Sequence, residues 1–209
     1  MVSSLVAYLN YIRLFAIIQR RNLNDKDKMS INLPLIKSYV PKKWKNLDFY
    51  PRLTFNFLEY FNNFNLKNSS LLELGSGDST IYFSTKFKNV ISYENDKYWF
   101  KYVKNNINYK NIKNIKIKLF KKDILLKKSF FNDFKKSEYV LIDNDPLFFD
   151  RDFFCLFSII NYNTNQKIIL DNCDCNITAY NLLKKHFKFK EFKGINKIKN
   201  TTITSIFYK

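Results

Sequence analysis

The chain has 209 residues, 46% of them apolar and 18% aromatic, which suits one domain with a large core and is far too apolar for a disordered chain. Its 36 Lys and Arg against 18 Asp and Glu give a net charge of +18, which admits an anionic partner without requiring one: 31 lysines stand against 5 arginines, spread from Lys26 to Lys209, amid the Asn, Ile, Phe and Tyr that AT-rich coding favours. Three cysteines without regular spacing argue against a disulfide framework and for a reducing, cytoplasmic setting.

The longest clean apolar run near the start is "LFAII" (14–18), far below the roughly 20 residues a bilayer requires. Arg13 directly precedes it and no basic stretch leads into an apolar one, so neither a membrane span nor a secretory signal is expected. The spacing of Leu5, Leu9, Ile12, Phe15 and Ile18 predicts an amphipathic helix over 4–19. Residues 22–52, with Pro34, Pro41 and Pro51, read as a connector, and "LTFNFLEYFNNF" (53–64) places Phe57, Leu58, Phe61 and Phe64 at helical spacing. We expect this N-terminal helical extension over 1–65 and a second unit over 66–209.

From residue 69 short apolar strands alternate with helical stretches. "LLEL" (71–74) precedes a helix from about 79 to 87, "NVISYE" (89–94) precedes "KYWFKYVKNNI", and "IKIKLF" (115–120) alternates strictly, as an edge strand with one wet face does. "YVLID" (139–143) leads to "RDFFCLFSIINY", and "KIILDN" (167–172) leads to "ITAYNLLKKHF". The last two strand candidates, "FKFKEFK" and "TITSIFY", have no helix between them and should pair antiparallel. The expected fold is a three-layer α/β sandwich with a mostly parallel sheet.

Two of the chain's three glycines, Gly75 and Gly77 in "LLELGSGDST" (71–80), stand where the first strand of this sheet turns into its first helix. Ligands of open α/β sheets bind at the carboxyl ends of the strands, near the topological switch point. Glycines there let a ligand approach the backbone, and the following helix start offers N–H groups. Glu73 lies inside the otherwise apolar first strand, where a carboxylate is costly without a partner. Glu94 ends the second strand, where an acidic group can take two ribose hydroxyls, and as an edge carboxylate it should contribute little to packing. Asp123, in "KKDIL", follows the third strand, so three carboxylates after three successive strands converge on one crevice.

"LLELGSGDST" with "SYEND" resembles the class I methyltransferases that use S-adenosylmethionine, whose first motif reads E/D-x-G-x-G and whose second strand ends in an acidic residue. The resemblance covers 69–209, with "YVLIDNDP" and "KIILDN" as fourth and fifth strands; Ser79 stands where many members carry a third glycine. It implies a seven-stranded sheet with an antiparallel last strand. It also implies that Gly75, Ser76, Gly77, Ser79, Thr80 and the Glu73 region hold the methionine part of the cofactor. Glu94, with Asn95 beside it, would take the ribose hydroxyls. Asp123 would accept from the adenine amino group while Ile124 donates its backbone N–H, and Asp143 would be the catalytic residue facing the sulfonium and the acceptor.

The implied reaction moves a methyl group to an O or N acceptor, expected to be a small molecule. Asp143, Asp171 and Asn172 resemble the magnesium site of catechol-type O-methyltransferases, but Pro146 stands where those enzymes carry a lysine, and no metal is expected. "DPLF" (Asp145, Pro146, Leu147, Phe148) is similar to the Asp-Pro-Pro-Tyr motif of N-methyltransferases of bases or glutamine, which makes a nucleic-acid or protein acceptor the alternative. A non-catalytic nucleotide- or RNA-binding protein is a further alternative. A nicotinamide enzyme is disfavoured: Thr80 replaces the third glycine of G-x-G-x-x-G, and "YNLLK" (180–184) has no serine about a dozen residues upstream, where Lys167, Ile168 and Ile169 stand. "CDC" (173–175) and the lone His186 lack zinc-site spacing and read as a packing pair and an ordinary helix residue.

Overall fold

The computed structural model describes residues 49, 51–121, 123–145, 151–196 and 201–209. The expected helix over 4–19, nearly all of the connector and the "PLF" of "DPLF" lie outside these residues. In chain order the elements are α1 (Phe55–Asn62), β1 (Ser70–Leu74), α2 (Asp78–Ser84), β2 (Asn89–Glu94), α3 (Lys97–Tyr109), β3 (Ile115–Leu119), a 3-10 turn (Ile124–Leu126), α4 (Lys128–Lys136), β4 (Tyr139–Ile142), α5 (Arg151–Asn161), β5 (Lys167–Leu170), α6 (Ile177–His186), β6 (Lys188–Ile195) and β7 (Thr201–Tyr208).

The strands form one seven-stranded sheet in the order β3-β2-β1-β4-β5-β7-β6. β7 enters antiparallel between β5 and β6, and the pairs from β3 to β5 are parallel. The fully apolar runs are the central strands: every residue of β4 is buried, as are Ile168, Ile169 and Leu170 of β5, because helices cover both faces. β3, whose sequence alternates, lies at the edge.

Alternation within the strands feeds two cores. Leu72, Leu74, Val140, Ile142, Ile168 and Leu170 pack with Phe130 and Phe134 of α4, Phe154 of α5 and Leu183 of α6. Leu71, Val90, Leu141 and Ile169 pack on the other face with Phe57, Leu58 and Phe61 of α1 and Phe83 of α2. α1 therefore shares a core with the sheet. It is also stapled to the last two strands, since Thr54 N–H donates to Thr204 Oγ1 (3.1 Å), Thr54 Oγ1 to the Phe192 carbonyl (3.2 Å) and Asn56 Nδ2 to the Lys193 carbonyl (2.8 Å). No helix among the described residues is long and apolar enough to cross a membrane.

α4 did not stand out in the sequence; its signal is the i, i+4 pair Phe130 and Phe134, both buried. All three cysteines are free thiols, Cys155 and Cys173 buried but Cys175 exposed, so the packing role expected for the "CDC" pair holds for Cys173 alone. His186 is an exposed residue of the last turn of α6.

Candidate active site

The order of the strands reverses between β1 and β4, and above that point opens a cleft of about 430 Å³, a normal size for a small-molecule site. Its floor is the turn from β1 into α2. Gly75 has φ +91°, and a Cβ there would stand 2.6 Å from the Asp143 carbonyl oxygen and 2.7 Å from Asn144 Cα. Backbone crowding by the end of β4 thus demands a glycine at 75. Gly77 has extended backbone, φ 179°, and a Cβ on it would meet nothing within 4 Å. The protein itself gives no steric reason for Gly77; the space it leaves belongs to the cleft.

Two carboxylates shape this turn. Glu73 is fully buried (0% exposed) on the α1/α2 face, opposite Ser92 in the β1–β2 register. It accepts from Ser79 Oγ (2.5 Å), Thr80 Oγ1 (2.6 Å) and Ser92 Oγ (2.7 Å). Thr80 Oγ1 in turn accepts the Gly77 N–H (3.1 Å), and Ser92 Oγ meets Ser76 Oγ (2.7 Å). Burial pushes the Glu73 carboxyl up to about 7, against the lowering effect of the three hydroxyls. Glu73 does not line the cleft; it holds the residues that do.

Glu94 does line the cleft, but it is only 3% exposed. Oε2 accepts the Ser76 N–H (2.5 Å), and Oε1 accepts those of Asn95 and Asp96 (both 2.7 Å). The expectation of an edge carboxylate with little structural weight is therefore corrected: the chain turns sharply after β2, and Glu94 satisfies the amides of that turn and of the glycine turn beside it. Burial raises its pKa, opposed by these amides. Asp96 caps α3 through Tyr98 N–H (2.6 Å) and Trp99 N–H (3.0 Å), which places Trp99 at the cleft wall. Tyr102 Oη donates to Asp78 Oδ1 (2.9 Å) and joins α3 to the start of α2.

The opposite wall is the end of β4 and β5. Arg151, 5% exposed, donates from Nε to the Asn144 carbonyl (2.8 Å), from Nη1 to the Asp171 carbonyl (2.6 Å) and from Nη2 to Asp143 Oδ1 (3.1 Å). One guanidinium thus ties two strand ends together. Burial raises the Asp143 pKa while Arg151 opposes the rise; Asp171 is raised further by burial and by Asp143, although Thr204 Oγ1 bonds its Oδ1 (2.6 Å). A divalent ion fits this donor set poorly. Arg151 already supplies the positive charge beside Asp143, and no group of three His, Cys, Asp or Glu suited to a metal occurs among the described residues.

Of the residues singled out in the sequence, Gly75, Ser76, Gly77, Ser79, Glu94, Asp143, Asp145, Asp171 and Asn172 line the cleft. Thr80 and Glu73 lie buried beneath it. Asn95 contributes its backbone N–H to Glu94, and its side-chain amide is shielded without a partner among the described residues. Asp123 and Ile124 are not brought to the cleft. They sit in the turn beyond the edge strand, where Asp123 pairs with Lys127 (3.3 Å) and the Ile124 N–H is taken by the Lys121 carbonyl (3.0 Å). The Ile124 amide is therefore not available to an adenine, which corrects that expectation.

Sequence reasoning missed Arg52, Asp96, Trp99, Arg151 and Asn196, all of which line the cleft. A signal existed for two of them. In a chain with 31 lysines and 5 arginines, both arginines among the described residues, Arg52 and Arg151, are found here. The lining holds six carboxylates (Asp78, Glu94, Asp96, Asp143, Asp145 and Asp171), so the cleft is acidic in a basic protein.

No family model and no curated protein matches the chain. Solved structures do. A precorrin-6y C5,15-methyltransferase from Geobacter metallireducens superposes with a TM-score of 0.52 at 12% identity, covering 69% of this chain and 82% of that one. A precorrin 8w decarboxylase from Methanobacterium thermoautotrophicum gives 0.51 at 10% identity, covering 69% and 83%. Trm5b from Pyrococcus abyssi gives 0.50 at 14%, and the chain spans about half (49%) of that protein. With its sheet order and its inserted antiparallel β7, the chain has the Rossmann-like, seven-stranded fold of the class I methyltransferases.

Proposed function

We propose that this chain is an S-adenosylmethionine-dependent methyltransferase acting on an O or N atom of a small molecule. The observation that carries the reading is the cleft over Gly77, where the missing side chain leaves open space at the β1–α2 turn within reach of Glu94 and Asp143. When bound, the cofactor supplies a methyl group on a sulfonium, open to in-line displacement by a nucleophilic acceptor. The residues that would hold it are the Ser76–Gly77 backbone and Glu94. Three amides already occupy part of the Glu94 carboxylate, and its remaining acceptor capacity on Oε2 is left for a ribose hydroxyl.

Asp143 stands at the end of β4 with Oδ1 on Arg151, so its orientation is set by a buried partner. Its raised pKa suits a carboxylate that holds an acceptor proton. Most of the rate enhancement would come from positioning, so a strong acid–base pair is not required. The carboxylates around the cleft favour a neutral or cationic acceptor, because a phosphate backbone would meet like charge.

Calorimetric titration tests the reading. S-adenosylmethionine or its demethylated product, S-adenosylhomocysteine, should bind with micromolar affinity, roughly −8 kcal/mol, and Gly77→Val should abolish the heat while the protein still melts cooperatively. Binding of NAD with no heat from either sulfur nucleoside would refute it.

A further inference from the structure

The cleft contains two guanidiniums, and they differ in one respect. Arg151 is buried and its three donor nitrogens are committed to Asn144, Asp171 and Asp143. Arg52 is exposed, and its guanidinium lies over the Trp99 ring, 5.7 Å from the centroid, without a hydrogen bond or ion pair among the described residues. Its charge is felt by Asp143 across the cleft. The backbone beneath it is fixed, since Leu53 is fully buried and Thr54 is bonded to both β6 and β7.

We propose that Arg52 binds the carboxylate of the amino-acid part of S-adenosylmethionine, a step that rests on the cofactor reading above. An amino-acid carboxylate entering a cleft lined by carboxylates needs a cation whose donors are not spent, and Arg52 is the cleft arginine that meets this condition among the described residues. A guanidinium offers a planar fork that matches a carboxylate in two parallel hydrogen bonds. The cation–π contact with Trp99 restrains that fork before the ligand arrives, which lowers the entropy lost on binding. The residue precedes α1 and lies outside the strand–turn–helix motif on which the cofactor reading was built.

The test compares two ligands on the full chain by calorimetry: S-adenosylhomocysteine, and 5′-methylthioadenosine, which keeps the nucleoside thioether and lacks the amino-acid carboxylate. Arg52→Met should weaken S-adenosylhomocysteine about 10- to 100-fold and leave 5′-methylthioadenosine unchanged. Arg52→Lys should recover part of the loss. Equal weakening of both ligands, or no weakening of either, overturns the assignment while the cofactor reading stands. Failure of the wild-type chain to bind S-adenosylhomocysteine overturns both. Melting curves of the variants should match the wild type, because the Arg52 side chain is exposed.

Discussion

Gly75 and Gly77 stand two residues apart in one motif and should respond oppositely to the same substitution. At Gly75 an alanine must adopt φ +91° and place Cβ 2.6–2.8 Å from three backbone atoms of Asp143 and Asn144, well inside the 3.4–4 Å of ordinary contact. Left-handed strain for a residue with a Cβ costs about 1–2 kcal/mol. Overpacking against atoms that cannot rotate away adds about 1–3 kcal/mol. The sum, about 2–5 kcal/mol, corresponds to a loss of roughly 4–20 °C in Tm for a chain of this size. At Gly77 the backbone is extended and the Cβ meets nothing, so Gly77→Ala should leave Tm unchanged or raise it slightly through reduced freedom of the unfolded chain. The same variant should weaken the cofactor, whose approach to the backbone requires that space. Thermal unfolding of the two variants, with calorimetry of Gly77→Ala against S-adenosylhomocysteine, separates the two roles. A Gly75→Ala protein that melts like the wild type, or a Gly77→Ala protein that binds the ligand as the wild type does, refutes the reasoning.

Removing the Glu94 carboxylate leaves the amides of Ser76, Asn95 and Asp96 without their acceptor, so Glu94→Ala should cost about 2–4 kcal/mol of stability and also weaken the cofactor; a variant with wild-type Tm would show that cleft water replaces the carboxylate. Glu94→Gln retains one acceptor oxygen and should fall between the two in both melting and titration. Glu73 has a carboxyl raised from 4.5 to about 7, so the native protein holds its proton more tightly than the unfolded chain does. Stability should be greatest below about pH 4.5 as far as this group is concerned, and should fall by about 3 kcal/mol as the pH rises from there through 7. Asp143 and Asp171, also raised, act in the same direction. Tm measured from pH 5 to 8 should decline, and Glu73→Gln should flatten part of that slope; a Tm that climbs with pH over this range would contradict the buried, partly protonated carboxyl.

The strand–helix alternation, the central position of "VLI" and "IIL", the edge position of "IKIKLF" and the antiparallel closing pair were all legible in the sequence, because apolar periodicity reports burial directly. That Gly75, Gly77, Glu94 and Asp143 line one cleft was legible because each ends a strand or begins the turn after it, and strand ends in a parallel sheet meet on one edge. The chain's order could not reveal which atoms meet there. Glu73 and Glu94 are the same residue type at the ends of neighbouring strands and on the same face of the sheet, yet one lies beneath the glycine turn and the other beside it, because Glu73 is level with Ser92 and Glu94 stands two residues nearer the carboxyl end. Asp123 follows its strand as the others do, but β3 is outermost and the Asp123 carboxylate pairs with Lys127 outside the cleft lining. Arg151 and Arg52 come from the start of α5 and from the segment before α1, at positions no motif assigns, and reach the cleft because α5 packs against β4 and the residues around Thr54 are pinned to β6 and β7. Local pattern determined the elements and their depth, since hydration of each side chain is a local matter; the charges that balance the acidic cleft were decided by long-range packing, which no short stretch of sequence encodes.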